Sequence, residues 1–218
     1  MNTVEICKNQ LLYYGRAIEE AGLISSTWGN LSCRAGKDMA VITPSGIPYN
    51  QLQSVDMAVV DLEGNEVECP LKPSTELHLH LEIYKARQDV QAIIHTHSKF
   101  ATVFAVVRSE IAAVTEETAQ LFGGCVPVAQ YALPGSLELA NNVVNALGDK
   151  GYAALLANHG VVCLGQTLSE AFQRCRIVER SAEILLWSNL LGGPSYLSNE
   201  EVRALRESFL SHYGQEKP

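Results

Sequence analysis

The segment Val90-Gln91-Ala92-Ile93-Ile94-His95-Thr96-His97 constrains this chain most, because an apolar run rich in β-branched residues and ending in two histidines predicts a buried strand. Strand side chains alternate with period two, so Thr96 faces away while His95 and His97 share one face. A second apolar run, Ala153-Ala154-Leu155-Leu156-Ala157-Asn158-His159-Gly160, also ends in a histidine. Two strand ends could bring His95, His97 and His159 together, and three ligands leave zinc the open position that catalytic sites keep. Taken alone, His95 and His97 read equally as half of a metal site or as two ordinary histidines.

The chain carries its own control. His78 and His80 have the same spacing, but they lie in Ser74-Thr75-Glu76-Leu77-His78-Leu79-His80-Leu81-Glu82-Ile83-Tyr84, which reads as a helix. On a helix, positions two apart diverge by roughly 200° and cannot share a metal. His80 lies four residues after Glu76 and so shares its face, which suggests support of that carboxylate or packing against it rather than ligation.

With 218 residues, 47% of them hydrophobic, the expectation is one domain, residues 1–218, around one core. A formal net charge of −8 without any Lys/Arg cluster argues against a nucleic-acid or anionic-membrane partner and leaves room for a small anionic substrate. The opening residues show no basic stretch leading into a long apolar run, and no run approaches the roughly 20 residues that span a bilayer. The expectation is a soluble cytoplasmic protein. Six cysteines are scattered singly, which fits reduced, mostly buried thiols. Cys125 and Cys163 are candidate extra metal ligands, but each sits in an apolar stretch and reads as a packing residue.

Apolar spacing predicts a first helix over residues 3 to 22, stopped by Gly22, and short antiparallel strands from Leu31 to Val67 separated by turn sequences. Next come a helix to about Arg87, capped by Ser74, a strand at 91 to 97, a helix at 98 to 107, and strands near 112 to 116 and 125 to 130. Ser136 caps another helix, a hairpin of 153 to 158 and 161 to 165 brackets His159, and two helices run from Ser169 to about Leu191 and from Asn199 to His212. The sum is an α/β unit with a mixed, largely antiparallel sheet flanked by helices.

Glu76, placed by this reading in the first turn of its helix, is an ordinary acidic residue there unless a metal lies beside it. A catalytic cation next to a carboxylate joins a Lewis acid to a base, a combination that abstracts a proton next to a carbonyl. Three loops rich in small hydroxyls and glycine, Ser26-Thr27-Trp28-Gly29-Asn30, Thr43-Pro44-Ser45-Gly46 and Pro73-Ser74-Thr75, read either as plain turns or, if they converge, as an anion cradle. Glu116 and Glu117 would face differently in any regular structure, so one is solvated and the other is a candidate acid or base.

In order, Thr27-x-Gly29-Asn30, Ile42-Thr43-Pro44-Ser45-Gly46-Ile47-Pro48-Tyr49, Pro73-Ser74-Thr75-Glu76, His95-x-His97 and Asn158-His159-Gly160 make the chain resemble the class II aldolase and adducin-head family over nearly its whole length. The resemblance implies a three-layer α-β-α fold with a mixed, mainly antiparallel central sheet, assembled as a cyclic homotetramer with active sites between subunits. It implies a zinc ion, with manganese, cobalt or iron as substitutes, held by His95, His97, His159 and Glu76. It places Thr27, Gly29, Asn30, Ser45, Gly46, Ser74 and Thr75 around a substrate phosphate. The implied activity is cleavage of a ketose 1-phosphate such as L-fuculose 1-phosphate, by way of an enediolate on the metal, with Glu76 exchanging protons. Members acting as epimerases, decarboxylases or dehydratases, and a non-catalytic adducin-like module, are the alternatives. Where fuculose-cleaving members carry a tyrosine for the aldehyde oxygen, this chain offers Glu117 or, under a shifted gap, Glu116. Tyr213 matches a C-terminal tyrosine that reaches a neighbouring subunit's site.

Overall fold

In the computed structural model, which describes residues 3–212, the apolar strands build one eight-stranded sheet. Helix α1 (Thr3–Glu20) leads into β1 (Gly29–Arg34), β2 (Met39–Ile42), β3 (Ala58–Asp61) and β4 (Glu66–Glu68), all paired antiparallel in sequence. Helix α2 (Leu77–Ala86), β5 (Ala92–Thr96), α3 (Lys99–Val107), α4 (Glu116–Phe122), β6 (Val128–Ala129) and α5 (Leu137–Leu147) follow. The hairpin β7 (Ala153–Leu156) and β8 (Gly160–Gly165) precedes α6 (Leu168–Leu190) and α7 (Asn199–His212). The strand order is β4-β3-β2-β1-β5-β8-β7-β6, and only β6 and β7 run parallel.

The near-continuous apolar runs of β5, β7 and β8 follow from burial on both faces. Ile94, Val161 and Cys163 pack with Leu11, Ile18, Phe104, Cys175 and Val178, from α1, α3 and α6. Ile93, Val162 and Leu164 pack on the other side with Leu79, Ile83, Leu139 and Val143, from α2 and α5. The result is the expected α/β fold: helices on both faces of a mixed, mainly antiparallel sheet. Each buried branched side chain contributes about 1.5–3 kcal/mol, so two apolar layers, and not the polar groups at its end, hold β5 in place. Among the described residues, no helix is long and apolar enough to cross a membrane.

Several local expectations needed correction. The strands expected near 112 to 116 and 125 to 130 reduce to an isolated Ile111–Val126 bridge and the two-residue β6. Between them lies α4, which opens where the Thr115 side chain accepts from the Thr118 amide and closes at Gly123, with φ of 67°. The β-branched and small residues before it suggested a strand, but the hydroxyl cap, two acidic residues in the first turn and the left-handed glycine specify a helix. Helix α2 starts at Leu77 rather than just after Ser74, and Glu76 is its N-cap residue. Cys125 is exposed and not a packing residue, whereas Cys163 is buried in β8; neither belongs to the histidine cluster.

Candidate active site

The register of three neighbouring strands assembles the site. Asn30 of β1 pairs with His95 of β5, and His95 pairs with Val162 of β8. His95 therefore lies on the α2 side of the sheet, and His97, just beyond the strand, turns the same way. The β7–β8 turn brings His159 beside them, its ring centroid 4.8 Å from that of His95 and 4.7 Å from that of His97. Asn158 supports the turn in the left-handed region at φ 57°, which asparagine tolerates better than most residues. Its amide donates to the Ala105 carbonyl, and its Oδ1 accepts from Arg108. Glycine at 160 is a matter of space, because an added Cβ would meet the Thr96 carbonyl and stand 3.1 Å from the His97 ring and 3.3 Å from the His95 ring.

Glu76 enters from the start of α2, its backbone amide donating to Ser74 Oγ at 3.2 Å. Its Oε2 lies 3.1 Å from His95 Nε2, and its Oε1 lies 3.5 Å from His159 Nε2. His95 Nε2 is in turn 3.0 Å from His97 Nε2. One ligand atom from each of Glu76, His95, His97 and His159 falls within 4.8 Å of all the others.

The donor set fits a divalent cation. His95 Nδ1 faces the Val161 carbonyl at 3.0 Å, so that nitrogen carries the proton and the Nε2 lone pair points inward. Two inward nitrogens and a carboxylate at this range repel one another unless a proton or a cation lies among them. Glu76 Oε1 and His159 Nδ1 are buried without a hydrogen-bond partner. Burial works against the charge on Glu76, but the facing His95 and His159 imidazoles and the Asn30 amide outweigh it and hold the carboxyl well below the usual range. Burial and the neighbouring imidazoles push His97 down to about 3 and His159 to about 4. His95 is opposed by burial yet raised by the Glu76 carboxylate.

A cavity of about 660 Å³ opens onto this cluster, lined by Thr27, Gly29, Asn30, Ser45, Gly46, Ser74 and Thr75 together with Glu76, His97 and His159. The three turn-like loops therefore do converge. Two of them are stitched together by the Ser45 amide on the Lys72 carbonyl and the Ser74 amide on the Thr43 carbonyl. The Tyr49 hydroxyl ties in the third by donating to the Gly29 carbonyl at 3.1 Å.

Other residues fall differently. The Asn30 side chain is committed at both ends, its amide nitrogen to Glu76 Oε2 and its oxygen to His80 Nε2. Glu116 and Glu117 are exposed at the start of α4, outside the residues lining the cavity. Tyr213 lies outside the described residues. Sequence reasoning gave no site role to Trp28, whose exposed ring lies 5.7 Å from the His97 ring at the cavity, nor to Asn158, quoted only as part of a motif, and passed over Pro134 in the lining. Its position between Thr27 and Gly29, both singled out, was the available signal for Trp28.

Residues 9–186 match the family model for the class II aldolase and adducin N-terminal domain. The chain is 32% identical over 210 residues to the 5-deoxy-D-ribulose 1-phosphate aldolase of Bacillus thuringiensis serovar kurstaki, covering 96% of this chain and 97% of the other. It is 35% identical over 191 residues to the L-fuculose phosphate aldolase of Methanococcus maripaludis, covering 88% of this chain and 97% of the other. A solved L-fuculose 1-phosphate aldolase structure superposes with a TM-score of 0.90 at 38% identity, covering 94% of this chain and 96% of that one. A histidine and glutamate cluster suited to a metal, found in a chain that matches these proteins nearly end to end, leaves one conclusion: the chain belongs to the class II aldolase and adducin N-terminal domain family, among its lyases.

Proposed function

We propose that this chain is a zinc-dependent aldolase that cleaves a deoxyketose 1-phosphate, such as L-fuculose 1-phosphate or a 5-deoxypentulose 1-phosphate, to dihydroxyacetone phosphate and an aldehyde. The observation that carries the reading is Glu76, set within 3.1 Å of His95 Nε2 on the wall of a cavity that the three small-residue loops also line. Two relatives that match over most of the chain are named for these two kinds of substrate.

His95, His97, His159 and Glu76 would hold the metal, and a divalent cation there supplies Lewis acidity to a ketone and its neighbouring hydroxyl, stabilising developing negative charge by several kcal/mol. Hydroxyls and amides of Thr27, Ser45, Gly46, Ser74 and Thr75, with the backbone of Gly29 and Asn30, would grip the phosphate and fix the carbon chain against the cluster. Cleavage breaks the bond between the third and fourth carbons. The hydroxyl on the fourth carbon would give up its proton to the Glu76 carboxylate as the aldehyde forms, and the electron pair stays with the three-carbon half. Glu76 would then return that proton to the third carbon. Glu117 and Tyr213 would take part only from a neighbouring copy in a homotetramer, since Glu117 stands outside the cavity lining of its own chain. Such a protein would work in the cytoplasm.

The test is to load purified protein with zinc, manganese, cobalt or iron and assay dihydroxyacetone phosphate release across a panel of ketose 1-phosphates, with metal analysis and sedimentation velocity. Release from a deoxyketose phosphate, lost on chelation and restored by zinc, is expected. An epimer, a decarboxylated or a dehydrated product would move the chain to another chemistry of the family. A folded protein that binds no metal would make it an adducin-like module.

A further inference from the structure

Behind Glu76 runs a line of buried polar side chains. Asn30, His80, Ser32 and Tyr84 are all buried, and in that order each hydrogen-bonds the next. Tyr84 Oη lies 2.8 Å from Ser32 Oγ, Ser32 Oγ lies 2.6 Å from His80 Nδ1, and His80 Nε2 lies 2.6 Å from Asn30 Oδ1. Asn30 Nδ2 then donates to Glu76 Oε2 at 2.9 Å.

The chemistry of the groups gives this line one direction. A carboxylate only accepts, so Asn30 must present its amide nitrogen to Glu76 and its oxygen to His80. That oxygen also only accepts, so His80 carries its proton on Nε2. A neutral imidazole then has a bare Nδ1, which accepts from the Ser32 hydroxyl, and the Ser32 oxygen accepts from Tyr84. Burial, which pushes His80 down to about 3, keeps the imidazole neutral, and the Asn30 oxygen places its single proton on Nε2. Without a donor at position 80, the Asn30 oxygen loses its anchor, and the amide is held by its Glu76 contact alone.

We propose that His80 is a positioning residue: backed by Ser32 and Tyr84, it locks the Asn30 amide so that Glu76 Oε2 is pinned and Oε1, which has no hydrogen-bond partner, alone stays free to turn toward substrate. The side chain of Asn30 thereby serves the carboxylate and not the phosphate. The catalytic consequence rests on the aldolase reading; the lock itself does not.

His80→Leu removes the donor, and His80→Gln restores an N–H that can reach Asn30 Oδ1. In the full-length protein, with folding checked by thermal melting, His80→Leu is expected to weaken zinc affinity in chelator competition about 10–100-fold. It is expected to lower kcat by a similar factor with KM within about twofold, and His80→Gln should recover most of both. Nitrogen-15 NMR of the metal-free protein at neutral pH should show His80 protonated on Nε2 alone. Combining His80→Leu with Asn30→Ala should cost little more than Asn30→Ala by itself, because the two act as one unit. The proposal is overturned if folded His80→Leu keeps zinc affinity and kcat within twofold of the parent, if His80→Gln is as impaired as His80→Leu, or if Nδ1 carries the proton. Should His80→Leu fail to fold, Ser32→Ala, which frees the tautomer with a smaller change, decides on the same two readouts: a loss in both supports the lock and parent-like values refute it. If the parent releases no dihydroxyacetone phosphate from any ketose phosphate, the aldolase reading fails while the zinc-affinity and NMR arms still judge the lock.

Discussion

His95 and His97 face each other with their Nε2 atoms 3.0 Å apart, one at the penultimate position of its strand and the other one residue beyond the strand's end. This closeness sets the first prediction. A cation should relieve the repulsion, so zinc at about a hundred times its Kd should stabilise the fold by ~2.7 kcal/mol. For a chain of this size that is a rise of about 5–10 °C in Tm. Differential scanning fluorimetry with and without a chelator reads it directly, and His97→Ala should abolish the rise.

Glu76→Gln keeps the shape of the side chain and its contact with Asn30 while removing the charge to which the proposed mechanism gives the proton. Zinc should still bind, more weakly, but solvent deuterium should no longer enter dihydroxyacetone phosphate on incubation with the enzyme. Mass spectrometry or proton NMR of the recovered phosphate checks this, and unchanged exchange would remove Glu76 from its role.

Ser45 and Thr75 line the cavity on loops whose backbones are tied to one another or to the glutamate. A hydrogen bond to a charged group contributes about 1.5–3 kcal/mol. Ser45→Ala and Thr75→Ala should each raise KM about tenfold with little change in kcat, and should weaken competitive inhibition by inorganic phosphate in parallel. Steady-state kinetics with and without phosphate separates this from a general loss of activity.

Gly160→Ala puts a methyl group against the Thr96 carbonyl and the His95 and His97 rings. Overpacking of this kind costs about 1–3 kcal/mol, and here it also forces the imidazoles apart. Lower Tm together with a loss of zinc affinity is expected, measured on the same samples by melting and chelator competition.

Low pH should destabilise the metal-free protein through neutral histidines that are buried or half-buried. His80, His97 and His159 are held at about 3, 3 and 4, below the ordinary histidine value. As pH falls from about 6.5 toward 4, the unfolded chain binds protons that the folded chain refuses, so the stabilisation present above that window is lost within it. His95 runs the other way: its raised value favours the fold below the ordinary histidine value and loses that benefit as pH climbs. Three against one gives a net fall, on the order of a few kcal/mol. Urea midpoints between pH 7.5 and 4.5 should show it, with a shallower slope for His80→Gln.

Legibility in the sequence followed how local each signal was. The period-two spacing of His95 and His97 and the apolar run before them specified a strand and a shared face, because side-chain direction on a strand depends only on the backbone of that strand. The turn that carries His159 was equally local. Helix α4 was also encoded locally, by Thr115, the acidic pair and Gly123, but its cap signals were outweighed by β-branched neighbours. Tertiary structure decided the rest. That Asn30 meets Glu76 rather than solvent depends on β1 pairing with β5 and on α2 lying across them, contacts between residues 46 positions apart. The partners of His80, Ser32 and Asn30, come from a strand about 50 positions earlier in the chain. No local pattern records such distances, since the pairing of remote segments is set by packing of the whole sheet. The chain alone therefore singled out the three histidines and Glu76, and only the fold showed which side chains stand behind them.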